Sequence, residues 1–179
     1  MKDGKYRFEV VLAGSGGQGL IVSGMMLGEA AILEGKNVVQ TQSYGIASRG
    51  GFSKAEVILD RDEIIYQQVQ RPDMVLALTE EAMEIYRDLP LSGIPVFYDT
   101  TLVEARDGKN LYGYPFTGMA AELGHPGTAN MIALGVMSSV TGMVSLESLG
   151  MVINKRFKGK AAGMNIKALQ KGAGLVTGL

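Results

Sequence analysis

Cysteine is absent from this chain of 179 residues, and there is a single histidine. Without cysteine there can be no disulfide, no thiolate nucleophile, no thiolate-held zinc and no cysteine-ligated iron–sulfur cluster. One histidine removes the multi-histidine metal centres as well, so no metal site is expected here. If the chain takes part in redox chemistry, the electron carriers sit elsewhere. Long apolar runs are also missing. The strongest, Met131 to Val144, is interrupted by glycine and serine and falls short of the roughly 20 residues that span a bilayer. Met1-Lys2-Asp3-Gly4-Lys5-Tyr6-Arg7 is charged before any apolar run and lacks the shape of a secretory signal. The expectation is a cytoplasmic protein with no membrane partner. No charge of one sign dominates either: 17 Lys and Arg stand against 18 Asp and Glu. The basic residues are scattered, which argues against a nucleic-acid surface.

Glycine is what the chain has in excess, with 25 residues, about twice the usual share of ~7%. Short loops account for most of them, but not for the clusters at 14–19 and 50–51. Hydrophobic residues make up 46% and charged residues 20%, a globular composition of a length that suits one domain over 1–179.

The first third reads as strand, helix, strand. Arg7 to Leu12 is apolar and extended, and Leu20 to Glu34 carries Leu20, Ser23, Gly24, Leu27, Ala30 and Ala31 on one side before Gly35 stops it. Gly24 and Gly28 would let that helix lie close to a sheet. Asn37 to Thr41 is the second strand, and Phe52 to Leu59 alternates with a period of two. Met74 to Leu78 and Ile94 to Tyr98 are short apolar runs of the kind buried on both faces. Thr79 can cap a helix with Glu80 and Glu81 in its first turn. Tyr112 to Phe116 is a further extended piece. Helices are predicted over about 117–123, 128–140, 145–157 and 162–175. The fold class that follows is α/β: a three-layer, Rossmann-like domain with a mostly parallel sheet and a helical C-terminal third.

Gly14-Ser15-Gly16-Gly17-Gln18-Gly19 fits G-x-G-x-x-G between a strand and a helix, where backbone N–H groups and a helix N-terminus can face an anion. The dinucleotide version also needs an acid ending the second strand to hold the ribose. Here Glu34 precedes that strand, and its end reads Gln40-Thr41-Gln42. No Gly-Lys-Ser/Thr follows, so it is no P-loop. Tight strand–helix packing is the plain alternative, although a long polar side chain at Gln18 suggests a contact to be made. A second loop, Ser43-Tyr44-Gly45-Ile46-Ala47-Ser48-Arg49-Gly50-Gly51, follows the second strand at the same carboxyl edge. Arg49 there could present a fork of donors to a phosphate or carboxylate, or be tied to an acid here or on another subunit.

Taken together, Gly16-Gly17-Gln18-Gly19, Thr41-Gln42-Ser43-Tyr44-Gly45 and Ser48-Arg49-Gly50-Gly51-Phe52-Ser53 resemble the gamma subunit of 2-oxoacid:ferredoxin oxidoreductases. Arg71-Pro72-Asp73-Met74-Val75-Leu76-Ala77-Leu78 and Ala129-Asn130-Met131-Ile132-Ala133-Leu134-Gly135 extend the likeness over nearly the whole chain. The Ser-Tyr-Gly form looks closest to the 2-oxoglutarate branch. Ile46-Ala47 stands where the family usually has Pro-Glu, which loosens the turn and removes a charge beside Arg49.

The resemblance implies a non-catalytic subunit, inactive alone, within an enzyme that decarboxylates a 2-oxoacid on thiamine diphosphate. That enzyme passes electrons through iron–sulfur clusters to ferredoxin and releases an acyl-CoA. Thiamine diphosphate and the clusters would belong to alpha, beta and delta partners, and self-association is expected when the chain is isolated. CoA is the one ligand implied near this chain, with Gly14, Gly16, Gly17, Gln18, Gly19, Ser43, Tyr44, Arg49 and Gly50 as the residues facing it. Three alternatives stay open: an indolepyruvate-type beta subunit, a stand-alone CoA- or nucleotide-binding module, and a purely structural subunit. His125 is expected in a surface turn. Asn130 should tie down a neighbouring loop, and Met119, Met131, Met137, Met143, Met151 and Met164 should fill core or interface gaps.

Overall fold

Six strands, β1 (Phe8–Ser15), β2 (Asn37–Tyr44), β3 (Phe52–Asp60), β4 (Met74–Ala77), β5 (Val96–Asp99) and β6 (Leu111–Tyr114), form one sheet in the order β2-β3-β1-β4-β5-β6. The computed structural model describes residues 6–44 and 51–176. β1, β4, β5 and β6 pair in parallel, while β3 is antiparallel to both β1 and β2. β3 alone therefore runs against the rest, and the sheet is mixed but mostly parallel in direction. The helices are α1 (Leu20–Leu33), α2 (Glu80–Ile85), α3 (Phe116–Glu122), α4 (Ala129–Thr141), α5 (Leu146–Arg156) and α6 (Gly159–Gly174).

The central strands divide their side chains between two cores. Val10 and Leu12 of β1 and Met74 and Leu76 of β4 join the large cluster with α1, α3, α4, α5 and α6. Val11, Ala13, Val75 and Ala77 face the other way, toward Ala82 and Met83 of α2. Strands buried on both faces read as unbroken apolar runs, which is how 74–78 reads. On α1, Leu20, Ser23, Gly24, Leu27, Ala30 and Ala31 are all buried. A side chain at Gly24 would press on Ala55 and Val57, and one at Gly28 on Val38, so the two glycines let α1 lie close against β2 and β3.

Several boundaries differ from expectation: β5 starts at Val96 rather than Ile94, and β6 ends at Tyr114, with Phe116 opening α3. β1 runs on to Ser15 and β2 to Tyr44, past the points where their apolar patterns fade. Both extensions are held by β3, through Ser15↔Phe52 and Tyr44↔Ser53. β3 also slots between β1 and β2, so the strand–helix–strand unit of the first third is split by a strand of opposite direction. In the C-terminal third the helices fall where expected, with α6 starting three residues sooner than Ala162, at Gly159. Thr79 Oγ1 accepts from Ala82 N at 3.2 Å, with Glu80 and Glu81 in the first turn of α2. Met131, Met137 and Met143 are buried, whereas Met151 is 50% exposed on α5.

Glu9 ties the amino edge together. Its Oε1 accepts from Arg7 Nη2 at 2.7 Å, and its Oε2 accepts from Gln70 N at 2.9 Å and Arg71 N at 3.2 Å. Burial opposes its charge, but the Arg7 side chain and these two amides outweigh burial and hold the carboxyl below the usual glutamate value. Glu34 is lowered in the same way: burial again opposes the charge, and Lys36 with Ser145 N overcomes it. A folded-state value below the unfolded one means the stabilisation is full above the unfolded value of about 4.3 and is lost as pH falls through the folded value. Urea midpoints should accordingly be flat from neutral pH to about 5 and then drop. Glu9→Gln should lower the neutral plateau and flatten that drop; an unchanged acid limb would refute the assignment.

Candidate functional site

At the carboxyl edge the chain leaves β1 through Gly16 and Gly17 and enters α1 at Gly19. Gly19 caps that helix with φ 73°, left-handed backbone that favours glycine. Ser43 and Tyr44, at the end of β2, lie at the same edge. Tyr44 pairs with Ser53, and Ser53 with Gly14, placing the end of β2 about two strand spacings, ~10 Å, from the turn. The turn and residue 51 are joined directly by Gly16 N donating to Gly51 O at 3.0 Å. The structure thus brings Gly14, Gly16, Gly17, Gln18, Gly19, Ser43 and Tyr44 to one edge. Arg49 and Gly50, with Ile46 and Ala47, lie outside the described residues.

Gln18 makes its contact inside the protein. Its Oε1 accepts from Ser15 N at 2.8 Å and its Nε2 donates to Leu78 O at 3.1 Å. The side chain bridges the ends of β1 and β4, where the connections depart in opposite directions along the sheet. That crevice is where a doubly wound domain holds a dinucleotide, and here an amide fills it. Gly14 is glycine for the same reason: a Cβ there would run into Gln18 Oε1 and come within 3.1 Å of Leu78 Cβ.

With Ser15 N on Gln18, Gly16 N on Gly51 O and Gln18 N on Ser15 O, the N–H groups of Gly17 and Gly19 are the ones in the turn left without a hydrogen bond among the described residues. α1 has neither a side-chain cap nor an acid in its first turn. Two free amides at the positive end of a 14-residue helix are suited to one anionic group.

Asn130 ties the turn down as expected: its Nδ2 donates to Gly19 O at 3.2 Å across the helical layer. Its Oδ1 is buried and has no hydrogen-bond partner among the described residues. Leaving such an acceptor unmet costs about 1–3 kcal/mol. Asn130 also lines a cavity of about 300 Å³ between α1, α4 and α6, with Val22, Met131, Phe157 and Met164 as its apolar wall. His125, in an exposed turn as expected, forms the rim shared with a second cavity that opens past Lys160 and Lys167. Nothing in the sequence announces this cavity, because segments far apart in the chain build it. Among the described residues no cluster of His, Asp or Glu is placed to hold a metal ion, and no helix is long and apolar enough to cross a membrane.

Comparison with known proteins agrees with this architecture. Residues 9–175 match the pyruvate ferredoxin/flavodoxin oxidoreductase family. The 2-oxoglutarate synthase subunit KorC of Archaeoglobus fulgidus is 44% identical over 162 residues, covering 90% of this chain and 83% of that one. The crystal structure of a keto/oxoacid ferredoxin oxidoreductase gamma subunit from Geobacter sulfurreducens superposes with a TM-score of 0.82 at 35% identity, covering 96% of this chain and 99% of that one. A 2-oxoglutarate:ferredoxin oxidoreductase from Magnetococcus marinus shares the fold, with a TM-score of 0.87 at 24% identity; 98% of this chain aligns with 32% of that longer one. The chain belongs to the pyruvate ferredoxin/flavodoxin oxidoreductase family. It aligns with 83% of that KorC subunit and 99% of the Geobacter gamma subunit, and with 35% of a longer relative, the ketoisovalerate oxidoreductase subunit VorA of Methanothermobacter thermautotrophicus, at 32% identity.

Proposed function

We propose that this chain serves as the gamma subunit of a 2-oxoglutarate:ferredoxin oxidoreductase, non-catalytic by itself, which completes the complex and helps admit CoA to it. The observation that carries the reading is the family match over residues 9–175 together with 44% identity to a 2-oxoglutarate synthase subunit. Thiamine diphosphate and the iron–sulfur clusters belong to alpha, beta and delta partners, since a chain without cysteine has no ligand set for a cluster. Ferredoxin is met through the assembled complex, and the reading carries a cytoplasmic location with it. As such a subunit it is expected to self-associate when isolated.

CoA brings phosphates to this edge. The free N–H groups of Gly17 and Gly19, and the Arg49 guanidinium, are the donors that would meet one. In the assembled enzyme Arg49→Ala should raise the apparent KM for CoA about tenfold, one charge-assisted hydrogen bond, with the KM for the 2-oxoacid unchanged. Steady-state kinetics with each substrate varied decides it: an unchanged CoA term assigns Arg49 to a subunit contact. Purification of the native protein without thiamine-dependent partners would overturn the reading as a whole.

A further inference from the structure

We infer that the exposed face of α6 is a docking surface for an acidic helix of a neighbouring subunit. The inference rests on the gamma-subunit reading for there being such a neighbour. Charge is one-sided at the end of the chain. After Glu147 there are six Lys and Arg and no Asp or Glu, while the other 11 basic residues stand against all 18 acids. Three of the six gather on one stripe. Lys160, Met164, Lys167 and Lys171 follow each other at intervals of four, three and four residues, which in a helix is a single line roughly 16 Å long. All three lysines are exposed, and none forms an ion pair among the described residues. Lys155 and Arg156 differ in this respect, since both reach Glu29 of α1, at 3.7 and 3.8 Å.

The helix cannot neutralise this stripe itself. No residue three or four positions from any of the three lysines is acidic, and Lys160 sits in the first turn, at the positive end of the helix dipole. Lys160 and Lys167 also border the outer groove, which no described Asp or Glu lines. The stripe is unfavourable in the free chain, and carboxylates from outside relieve it. The residue types choose among anions. A bidentate reader of phosphates would be arginine, and the stripe has none. A helix lying on a membrane needs bulky apolar residues beside its cations. Here the other exposed positions of α6 are Gly159, Ala161, Gly163, Gln170 and Gly174. Small residues beside a line of lysines let a second helix lie close, as interhelical distance is set by the side chains at the contact. A partner helix with Asp or Glu at the same spacing answers the lysines charge for charge, which is how charged positions select helix partners.

The test uses the native complex and the full isolated chain. A carbodiimide joins a lysine amine to a carboxylate in direct contact. In the complex it should link Lys160, Lys167 or Lys171 to Asp or Glu of another subunit, read by peptide mass spectrometry. The three amines should also acetylate roughly tenfold more slowly in the complex than in the isolated chain, because a carboxylate in contact keeps an amine protonated. Both measurements use the unaltered protein and so do not depend on how a variant folds. A triple variant, Lys160→Glu with Lys167→Glu and Lys171→Glu, should keep the Tm of the isolated chain, since all three positions are exposed. It should be held by the complex at least about tenfold more weakly, with several ion pairs turned to repulsion. Equal acetylation in the complex and the isolated chain overturns the docking surface while the gamma-subunit reading stands, and so does a triple variant that assembles like the wild type. Links only to a second copy of this chain overturn the neighbouring subunit as occupant. Protection by CoA or by phosphatidylserine vesicles, without protection by the other subunits, assigns the stripe to a small anion or a membrane and overturns the inference. Purification without partner subunits overturns both readings.

Discussion

Gly135→Ala and Gly172→Ala are each expected to lower the unfolding free energy by about 2–4 kcal/mol, seen as a loss of ~5–15 °C in Tm. In an exposed helix the same change stabilises by about 1 kcal/mol, because alanine is the better helix former. The sign is therefore diagnostic. α4 and α6 cross with their backbones in contact: a Cβ on Gly135 would run into the Leu169 carbonyl and lie 3.0 Å from Ala173 N. A Cβ on Gly172 would run into the Ile132 carbonyl and lie 2.8 Å from its carbon. Backbone on the far side cannot swing away as a side chain would, so the helices must separate. Asn130 on α4 and Met164 on α6 line the cavity beside this crossing, so any loosening should reach the site as well. Chemical denaturation of the two variants, with Gly163→Ala as the control where a Cβ meets nothing within 4 Å, checks the sign directly. Destabilisation by Gly163→Ala equal to the other two would refute the crossing.

Gln18→Ala should cost about 2–4 kcal/mol, because it strands two backbone groups at once, Ser15 N and Leu78 O. Gly14→Ala should be similarly damaging in the wild-type background, since its Cβ collides with the Gln18 amide. The two changes touch the same atoms and should not add. With Gln18 truncated, the alanine methyl at 14 loses its severest clash and keeps Leu78 Cβ at 3.1 Å, and the double variant should be 1 kcal/mol or more better, by roughly the usual coupling of contacting residues, than the sum of the singles. Gln18→Glu keeps the acceptor for Ser15 N but sets a carboxylate against the Leu78 carbonyl, so it should rescue only part of the loss. A double-mutant cycle by urea unfolding measures this. Full additivity, with CoA dependence lost and stability retained, would return Gln18 to the role of a ligand-contacting side chain.

Much of this was legible in the residues. The unbroken apolar runs at 74–78 and 94–98 mark strands buried twice over, and the glycines at 24 and 28 mark a helix laid on a sheet. Thr79 with Glu80 and Glu81 marks a cap. These are local signals, decided by side chains within one turn or one strand, and they survive folding unchanged. The missing acid after β2 ruled out a dinucleotide site for reasons of chemistry that the fold then repeated in its own terms, with the Gln18 amide filling the crevice. Family-specific wording in the Gly16 to Gly19, Thr41 to Gly45 and Ala129 to Gly135 segments carried the assignment that the full-length match established.

Other features depend on contacts between segments far apart in the chain. Nothing in Phe52 to Asp60 says that it pairs on both sides, and so nothing says that β1 and β2 extend to Ser15 and Tyr44. Gly135 and Gly172 look like ordinary glycines in apolar helices until the two backbones meet. Asn130 and Gly19 are 111 positions apart, yet their hydrogen bond closes one wall of the cavity. The sequence by itself determined the class of domain, the absence of cluster ligands and the family. Only the tertiary structure decided where Gln18 spends its amide, which turn N–H groups stay free and that a pocket exists at all. Local chemistry sets what each segment can form, whereas long-range packing sets which polar groups are left without a partner, and those are the groups a ligand can meet.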